Sequence, residues 1–462
     1  MPSAAIEGQP PPDTRRKKLP AGARLVILFE FFERYAFYST LSLLVLFLSA
    51  RAGAGGLGWP EPRALGFVGI FFGLMYALPV LGGLAADRLI GHRPAIIVGG
   101  NLMLVGYALL TWVSVRQGTD LSDPSDTTMT AFWASMACVV TGNAMMKSTA
   151  VIVFGDAFGG DAPHRERSYT YYYMGINIGA VVAGLASGAL VTGLGWSAAF
   201  GAGATGMAVA ALAFTSLHRR LLGPTPAPAG VPAPCPTHAD TDEDQDTGAA
   251  ARTRVGLLMV FAAALCLFHV GALQIFGTVL LMIEHGVDRS VGSFVIPVQW
   301  YTSFNAAALI CAPAAFAWLW KKLAGRGHEP DAPAKYAVAL GFGAAGLLML
   351  AWTGWAAHGS WLVPAFGVVL LGIGEVAAWT MTYGLVYRLA PRRLVAMAMG
   401  AFYTVALGLG GYGAGWVARF AEPLGYGRYF MALALATAVA ACAMLSLRPL
   451  IGRAARRVGE SV

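Results

Sequence analysis

Charge is the scarcest commodity in this chain. Only 12% of its 462 residues are Asp, Glu, Lys or Arg, against about 25% in a typical soluble domain. Cysteine is also sparse. Cys138, Cys235, Cys266, Cys311 and Cys442 show no metal-ligand spacing and read as free thiols, four of them in apolar stretches. The eight histidines form no cluster, and only His269 lies well inside an apolar run, where it reads as a core or pocket residue. Met1–Pro20 has no apolar centre and is not a signal peptide. These absences argue against a soluble enzyme, a metalloprotein and a disulfide scaffold, and no cofactor is expected.

What fills the chain instead is hydrophobic sequence, 57% of all residues. It falls into twelve runs, each able to cross a hydrocarbon core about 30 Å thick: 21–50, 64–85, 94–116, 127–155, 168–193, 196–217, 254–284, 294–320, 335–357, 361–388, 394–420 and 426–447. The expected fold is an all-α integral membrane protein. With the N-terminus inside, 23 Lys and Arg fall on inner segments and 6 on outer ones. That asymmetry predicts cytoplasmic N- and C-termini. The net charge of +8 then reflects topology, and no nucleic-acid partner is implied.

Against this apolar background the few embedded charges stand out. Glu30, Glu33 and Arg34 sit within five residues of the first run, although an ionised group near a bilayer centre costs about 2.5–3.5 kcal/mol on insertion scales. Glu30, Glu33, Arg34, Phe37 and Leu41 share one helical face, so that face points inward. Lys147 is the only other basic residue deep in the membrane, and Glu375 the only interior acid of the second half. A leucine would pack better than a buried ammonium, so a functional use of these groups is the stronger reading.

The runs split into two sets of six, 21–217 and 254–447, flanked by a disordered N-terminus (1–20) and a basic tail (448–462). Between them, 218–253 is Pro-rich and then acidic, reading as a disordered cytoplasmic linker. Two six-helix bundles joined in this way are the plan of major facilitator transporters, whose halves move around a midplane site. The loop Gly82-Gly83-Leu84-Ala85-Ala86-Asp87-Arg88-Leu89-Ile90-Gly91-His92-Arg93 resembles that superfamily's G-x-x-x-D-R-x-G-R-R signature, with one extra residue before Gly91. Its glycines permit close helix approach, and Asp87 and Arg88 can bond across the cytoplasmic seam.

A narrower resemblance follows. Glu30-x-x-Glu33-Arg34-Tyr35-x-Phe37-Tyr38 resembles the E-x-x-E-R-F-x-Y-Y motif of proton-dependent oligopeptide transporters (POT, also called PTR). Tyr172-Tyr173-Met174-Gly175-Ile176-Asn177-Ile178-Gly179, Lys147, Gln274, Gln299–Asn305 and Gly374-Glu375-Val376 resemble further family segments in the right order. The resemblance implies proton-coupled import of di- and tripeptides by alternating access, with the proton as coupling ion. It also implies a small-molecule substrate, the lipid bilayer as surroundings, a monomer, and a bacterial inner-membrane location.

The residues suit that cargo. Arg34 offers a planar fork and Lys147 a point charge for a peptide carboxylate. Glu375 can receive the amino terminus, Asn177 and Asn305 can bridge amides, and Tyr38 and Tyr76 add hydroxyls. Interhelical bonding is the plainer use of the asparagines and tyrosines. A carboxylate pairing with Arg34 would release Glu33, assisted by Glu30, to take a proton, so binding and protonation favour each other.

Departures from the family pattern bear on the substrate. Relatives carry an acid in the seventh span paired with a base in the first; here those places are Leu273 and Leu41, which suggests an apolar outer latch. Phe37 removes a pocket hydroxyl, and Trp379 replaces part of a Ser-Pro break, making the pocket bulkier. A non-peptide cargo such as an amino-acid conjugate, organic anion or drug, possibly exported, is the alternative. A membrane enzyme or sensor lacks its expected constellation. Cysteines placed at Leu41 and Leu273 are expected to crosslink in at least one conformation; their failure to do so under every condition rejects the latch.

Overall fold

The computed structural model describes residues 18–159, 161–224, 248–356, 359–390 and 395–460. The disordered terminus expected before residue 18, the Pro-rich and acidic linker residues 225–247 with Cys235, and the basic residues Arg392 and Arg393 lie outside the described residues.

The backbone is almost wholly helical, as it must be where no water can satisfy its amides. In chain order the helical runs are α1 (Ala21–Ser49), α2 (Glu61–Ile90), α3 (His92–Asp120), α4 (Asp126–Asp156), α5 (Ala162–Leu194) and α6 (Trp196–Leu222). The second set comprises α7 (Gly248–Phe276), α8 (Trp300–Ala324), α9 (Ala332–Trp355), α10 (Leu362–Leu389), α11 (395–418) and α12 (Tyr426–Arg457). Among the described residues, eleven of these are long and apolar enough to cross a membrane. The remaining run, α11, is assembled from Val395–Tyr403, a π turn at Thr404–Leu409, and Gly410–Ala418.

Several boundaries differ from the sequence expectation. Residues 294–299 do not open α8; Phe294–Val295 pairs with Ser290–Val291 as a short antiparallel hairpin, and Pro297 precedes the helix. The linker is shorter at both ends, because α6 continues through Leu222 and α7 begins at Gly248. The basic tail continues α12 as helix to Arg457. The seventh run breaks where Gln274 bonds across to α11: its Nε2 donates to the Ala414 carbonyl at 3.0 Å and its Oε1 accepts from Thr278 at 2.7 Å. After that break the helix resumes as Thr278–Gly286.

α1 is central. Its most apolar window is 83% buried, against 28% for α12 on the outside, and it packs on α5 and α6. The two halves meet through α2 against α11 and α5 against α8, contacts that exchange under a shift of six helices. Glycines make both contacts possible. A Cβ on Gly69 would lie 2.4 Å from Gly415 Cα, and one on Gly415 would lie 2.6 Å from Gly69 Cα. Across the other seam Ser303 Oγ donates to the Val181 carbonyl (2.7 Å) and Trp300 Nε1 to Leu185 (3.1 Å).

All these contacts fall on the face away from the interhalf connection. At its rim Glu61 of α2 meets His285 (3.6 Å) and Tyr426 (3.4 Å) of the second half. Among the described residues the opposite face has no packing of similar extent between halves, and Leu81, Tyr387 and Met397 are 62%, 73% and 65% exposed there. The molecule is closed on one side and parted on the other.

Overpacking a tight contact costs about 1–3 kcal/mol. Gly69→Leu is therefore expected to disfavour the closed distal seam by about tenfold or more. Faster labelling of cysteines placed near Tyr38 from the distal side checks this, and unchanged labelling would count against the seam.

Candidate functional site: a charged cavity between the halves

On α1, Glu30, Glu33 and Arg34 are all buried, as are Phe37 and Leu41. Neighbouring residues on a helix diverge, yet Arg34 curls back to bind Glu33 through two bonds: Nε donates to Oε2, and Nη2 to Oε1 at 2.6 Å. Its guanidinium lies 4.8 Å over the Phe37 ring. The Phe at this position thus supplies a cation-binding face where a tyrosine would add a hydroxyl. Arg34 Nη2 also reaches Asn143 Oδ1 at 3.5 Å, and Asn143 Nδ2 donates to the Met75 carbonyl at 2.8 Å. Asn143 therefore ties α1, α4 and α2 at the charged centre. Its place four residues before Lys147, on the same helical face, was the available signal for this residue.

Lys147 is used differently. Its Nζ sits 5.1 Å over the Tyr76 ring and makes no ion pair among the described residues. Glu30 of α1 and Tyr172 of α5 are both buried. Tyr38 lies 6.1 Å from Phe276 of the other half, and Tyr76 stacks on Phe72 at 4.8 Å between ring centres. Across the cavity Glu375 of α10 is partly open, and its Oε1 lies 3.8 Å from His269 Nε2. Trp379, one turn along, stacks on Tyr403 at 4.5 Å between ring centres, and Tyr403 bonds Tyr383 at 2.7 Å between hydroxyl oxygens.

The asparagines behave unequally. Asn177 is half-buried and donates only to the Tyr173 carbonyl of its own helix (2.9 Å). Asn305 is buried and donates from α8 to the Val368 carbonyl of α10 (3.0 Å), the interhelical bond that was its plainer reading.

The outer residues also separate. Leu41 is buried in α1 and Leu273 opens the break in α7, both within one apolar cluster. The ring contacts that bridge the halves at this level are those of Phe276, 6.1 Å from Tyr38 and 6.1 Å from Phe72. In the 82–93 loop, Gly82 lets α2 press against the Ala144 carbonyl of α4, Gly83 packs on Ser148, and Gly91 turns the chain at φ +82°. Asp87 and Arg88 lie in the π turn Ala86–Ile90 that ends α2; Asp87 is 3.6 Å from His92 at the start of α3, Arg88 is exposed, and among the described residues neither has an ion pair with the second half. Arg93 is buried and caps α6, donating to the carbonyls of Leu222, Gly223 and Pro224 at 2.8–2.9 Å.

Twelve helical runs in two sets, with buried charge on α1 and an acid on α10, are the architecture of a membrane transporter. The family model of the Major Facilitator Superfamily matches residues 25–415, and the chain belongs to that superfamily. It is 25% identical to a Bacillus subtilis protein named "Uncharacterized transporter YclF", over 95% of this chain and 96% of that one. It is also 25% identical to "Peptide transporter YePEPT" of Yersinia enterocolitica, over 92% and 94%. Among solved structures, a peptide transporter POT in complex with sulfate matches with TM-score 0.82 at 22% identity, over 95% and 97% of the two chains. A POT family transporter in complex with 5-aminolevulinic acid matches at 0.81 and 18%, over 94% and 97%.

Removing one partner of a buried ion pair costs about 3–5 kcal/mol. Glu33→Leu should therefore lower the melting temperature of the detergent-solubilised protein markedly. Lys147→Met removes a cation with no ion pair and should leave melting unchanged or raise it. Equal losses in both variants would refute this division.

Proposed function

We propose that the chain is a proton-coupled symporter importing di- and tripeptides by alternating access. The observation that carries this reading is the pairing of Glu33 with Arg34 on one half, beside Lys147, facing Glu375 on the other. A zwitterionic peptide presents the complementary charges at its two ends.

In this reading the peptide carboxylate docks on Arg34 and Lys147, and the ammonium on Glu375. Arg34 cannot hold two carboxylates equally, so Glu33 is released and becomes the main protonation site, with Glu30 in support. Neutralising Glu33 removes a buried charge that would oppose closure of the parted face. Tyr38, Tyr76 and Asn177 offer polar groups along the cavity; Asn305 serves chiefly to join α8 to α10. Asp87 and Arg88 act when that face closes. We count α11 as one of twelve spans and place both termini in the cytoplasm of a bacterial cell, with the chain in the inner membrane as a monomer. The proton is the only coupling ion.

A second reading keeps the fold and the coupling but changes the cargo to a small amino-acid derivative. The Trp379–Tyr403 stack beside Glu375 favours it by narrowing the cavity, and one structural neighbour holds 5-aminolevulinic acid.

Uptake of labelled dialanine into proteoliposomes, with and without an inward proton gradient, tests the proposal. Gradient-driven accumulation is expected in the wild type. Glu33→Gln should lose the accumulation while retaining binding, and Glu375→Ala should lose affinity for the peptide. A wild type that ignores dialanine but moves protons with 5-aminolevulinic acid would select the second reading. Normal pH-driven accumulation by Glu33→Gln would reject Glu33 as the proton site.

A further inference from the structure

The charges of α12 mark where it leaves the bilayer. Tyr429–Leu447 carries no charge and is bracketed by Arg428 and Arg448. From one arginine to the other the helix rises about 30 Å, the thickness of the hydrocarbon core. Yet α12 continues to Arg457, so about two and a half further turns stand at and above the headgroups.

This extension stays docked on its own bundle. Met444, Ile451 and Ala455 recur at helical spacing and are buried on both sides of the boundary. Side chains of neighbouring helices clamp it. Arg448 Nε donates to Asp331 Oδ2 at the start of α9. Arg254 of α7 donates to the Val458 carbonyl at 3.0 Å and reaches Glu460 Oε1 at 3.5 Å. Asp331 and Glu460 are thereby already engaged by cations other than the last three arginines of the helix.

The opposite face changes character at the boundary. Leu435 and Val439 are exposed before it and Leu450 at it; Arg453, Arg456 and Arg457 follow, all exposed. Among the described residues none of these three has an ion pair. Helical side chains lean toward the N-terminus, which here is back toward the bilayer. Arg453 Nε donates to the Pro449 carbonyl one turn earlier (3.2 Å), and a Cβ on Gly452 would lie 3.5 Å from Arg456 Nη1. Both guanidinium groups reach back to headgroup level.

We propose that this face of α12 is a docking surface for anionic phospholipid. Arg453, Arg456 and Arg457 take the headgroup phosphate, for which the guanidinium fork is suited, and Val439 and Leu450 lie along the acyl chains. A zwitterionic headgroup carries its own cation beside the phosphate, so the surface disfavours it by charge. Basic residues on the inner side of a membrane protein need only sit in loops. Here they ride on a helix held by a buried face and two clamps, which lowers the entropy lost on binding. Arg254 also reaches the Arg388 carbonyl of α10 at 3.4 Å, so lipid held on α12 braces the ends of α7 and α10 as well. The surface is independent of what the cavity carries.

The full chain, stripped of lipid in neutral detergent, is titrated with dioleoylphosphatidylglycerol or dioleoylphosphatidylcholine and read by melting temperature. The first lipid should raise melting by several degrees and the second should not. The triple variant Arg453→Gln, Arg456→Gln, Arg457→Gln changes only exposed positions, and each protein is read from its own lipid-free baseline. It should need about tenfold more phosphatidylglycerol for the same rise. Lysine at the same three positions should keep most of the response. Lys321→Gln with Lys322→Gln, which removes charge from the end of α8, should respond as the wild type does. Equal responses to the two lipids overturn the proposal, as does a wild-type response from the glutamine triple or an equal loss from the α8 pair. A matching rise with glycerol 1-phosphate alone would assign the arginines to a free phosphate and overturn lipid docking.

Discussion

An arginine buried in a membrane protein has to be compensated, and the compensation of Arg34 organises this molecule. The guanidinium does not find an acid on a facing helix; it folds back on Glu33, the residue just before it, and uses its remaining donor for Asn143. That choice leaves the pair on one helix and one half. A bridge to the second half would have locked the halves together, whereas a pair confined to α1 allows them to part while the charge stays satisfied. It also makes the pair exchangeable, because an incoming carboxylate competes with a single carboxylate partner.

Around this centre the distal seam depends on the absence of side chains. Gly69 meets Gly415 backbone to backbone, and Gly184 admits Ser303 and Thr302. Contacts of this kind form by small-residue packing and a few hydrogen bonds, since lipid supplies no hydrophobic drive between helices. They can reopen without exposing a large apolar core to water. The rim contact of Glu61 with His285 and Tyr426 is exposed and weak by comparison.

Much of this was legible in the sequence, for definite physical reasons. Helices in a bilayer announce themselves by length and hydropathy, and among the described residues eleven of the twelve expected runs are helices long and apolar enough to span, while α11 is helix interrupted by a π turn. The cluster on α1 was legible because charge is so rare there that each instance demands an explanation. What could not be read was partner choice. Periodicity put Glu30, Glu33 and Arg34 on one face, but it does not reveal that Arg34 would select its immediate neighbour, a pairing that helix geometry disfavours. Asn143 was hidden because an amide in a span fits several uses. The latch expected at Leu41 and Leu273 follows a pattern of paired replacement; the ring of Phe276, brought inward by a break in α7 that hydropathy does not mark, bridges the halves beside it. Asp87 and Arg88 were read for a closed face, and this conformation is parted there.

The conformation itself bears on how the charges cooperate. Glu375 is 23% exposed, while Glu33 has no exposure at all. Water screens the first acid and leaves the second to its arginine. In the proposed cycle a ligand meets Glu375, the more exposed acid, before it disturbs the α1 pair. The second half recognises first, and the first half, where rearrangement is energetically larger, responds. Such an order requires the two clusters to share one cavity while resting on separate bundles. In the proposed cycle, specificity resides in the half carrying Glu375 and Trp379, and coupling in the half carrying Glu30, Glu33 and Arg34. Substitutions around Trp379 can change the cargo without touching the acids that respond to it, which explains how the α1 motif persists in a chain whose opposite wall has departed from the family pattern.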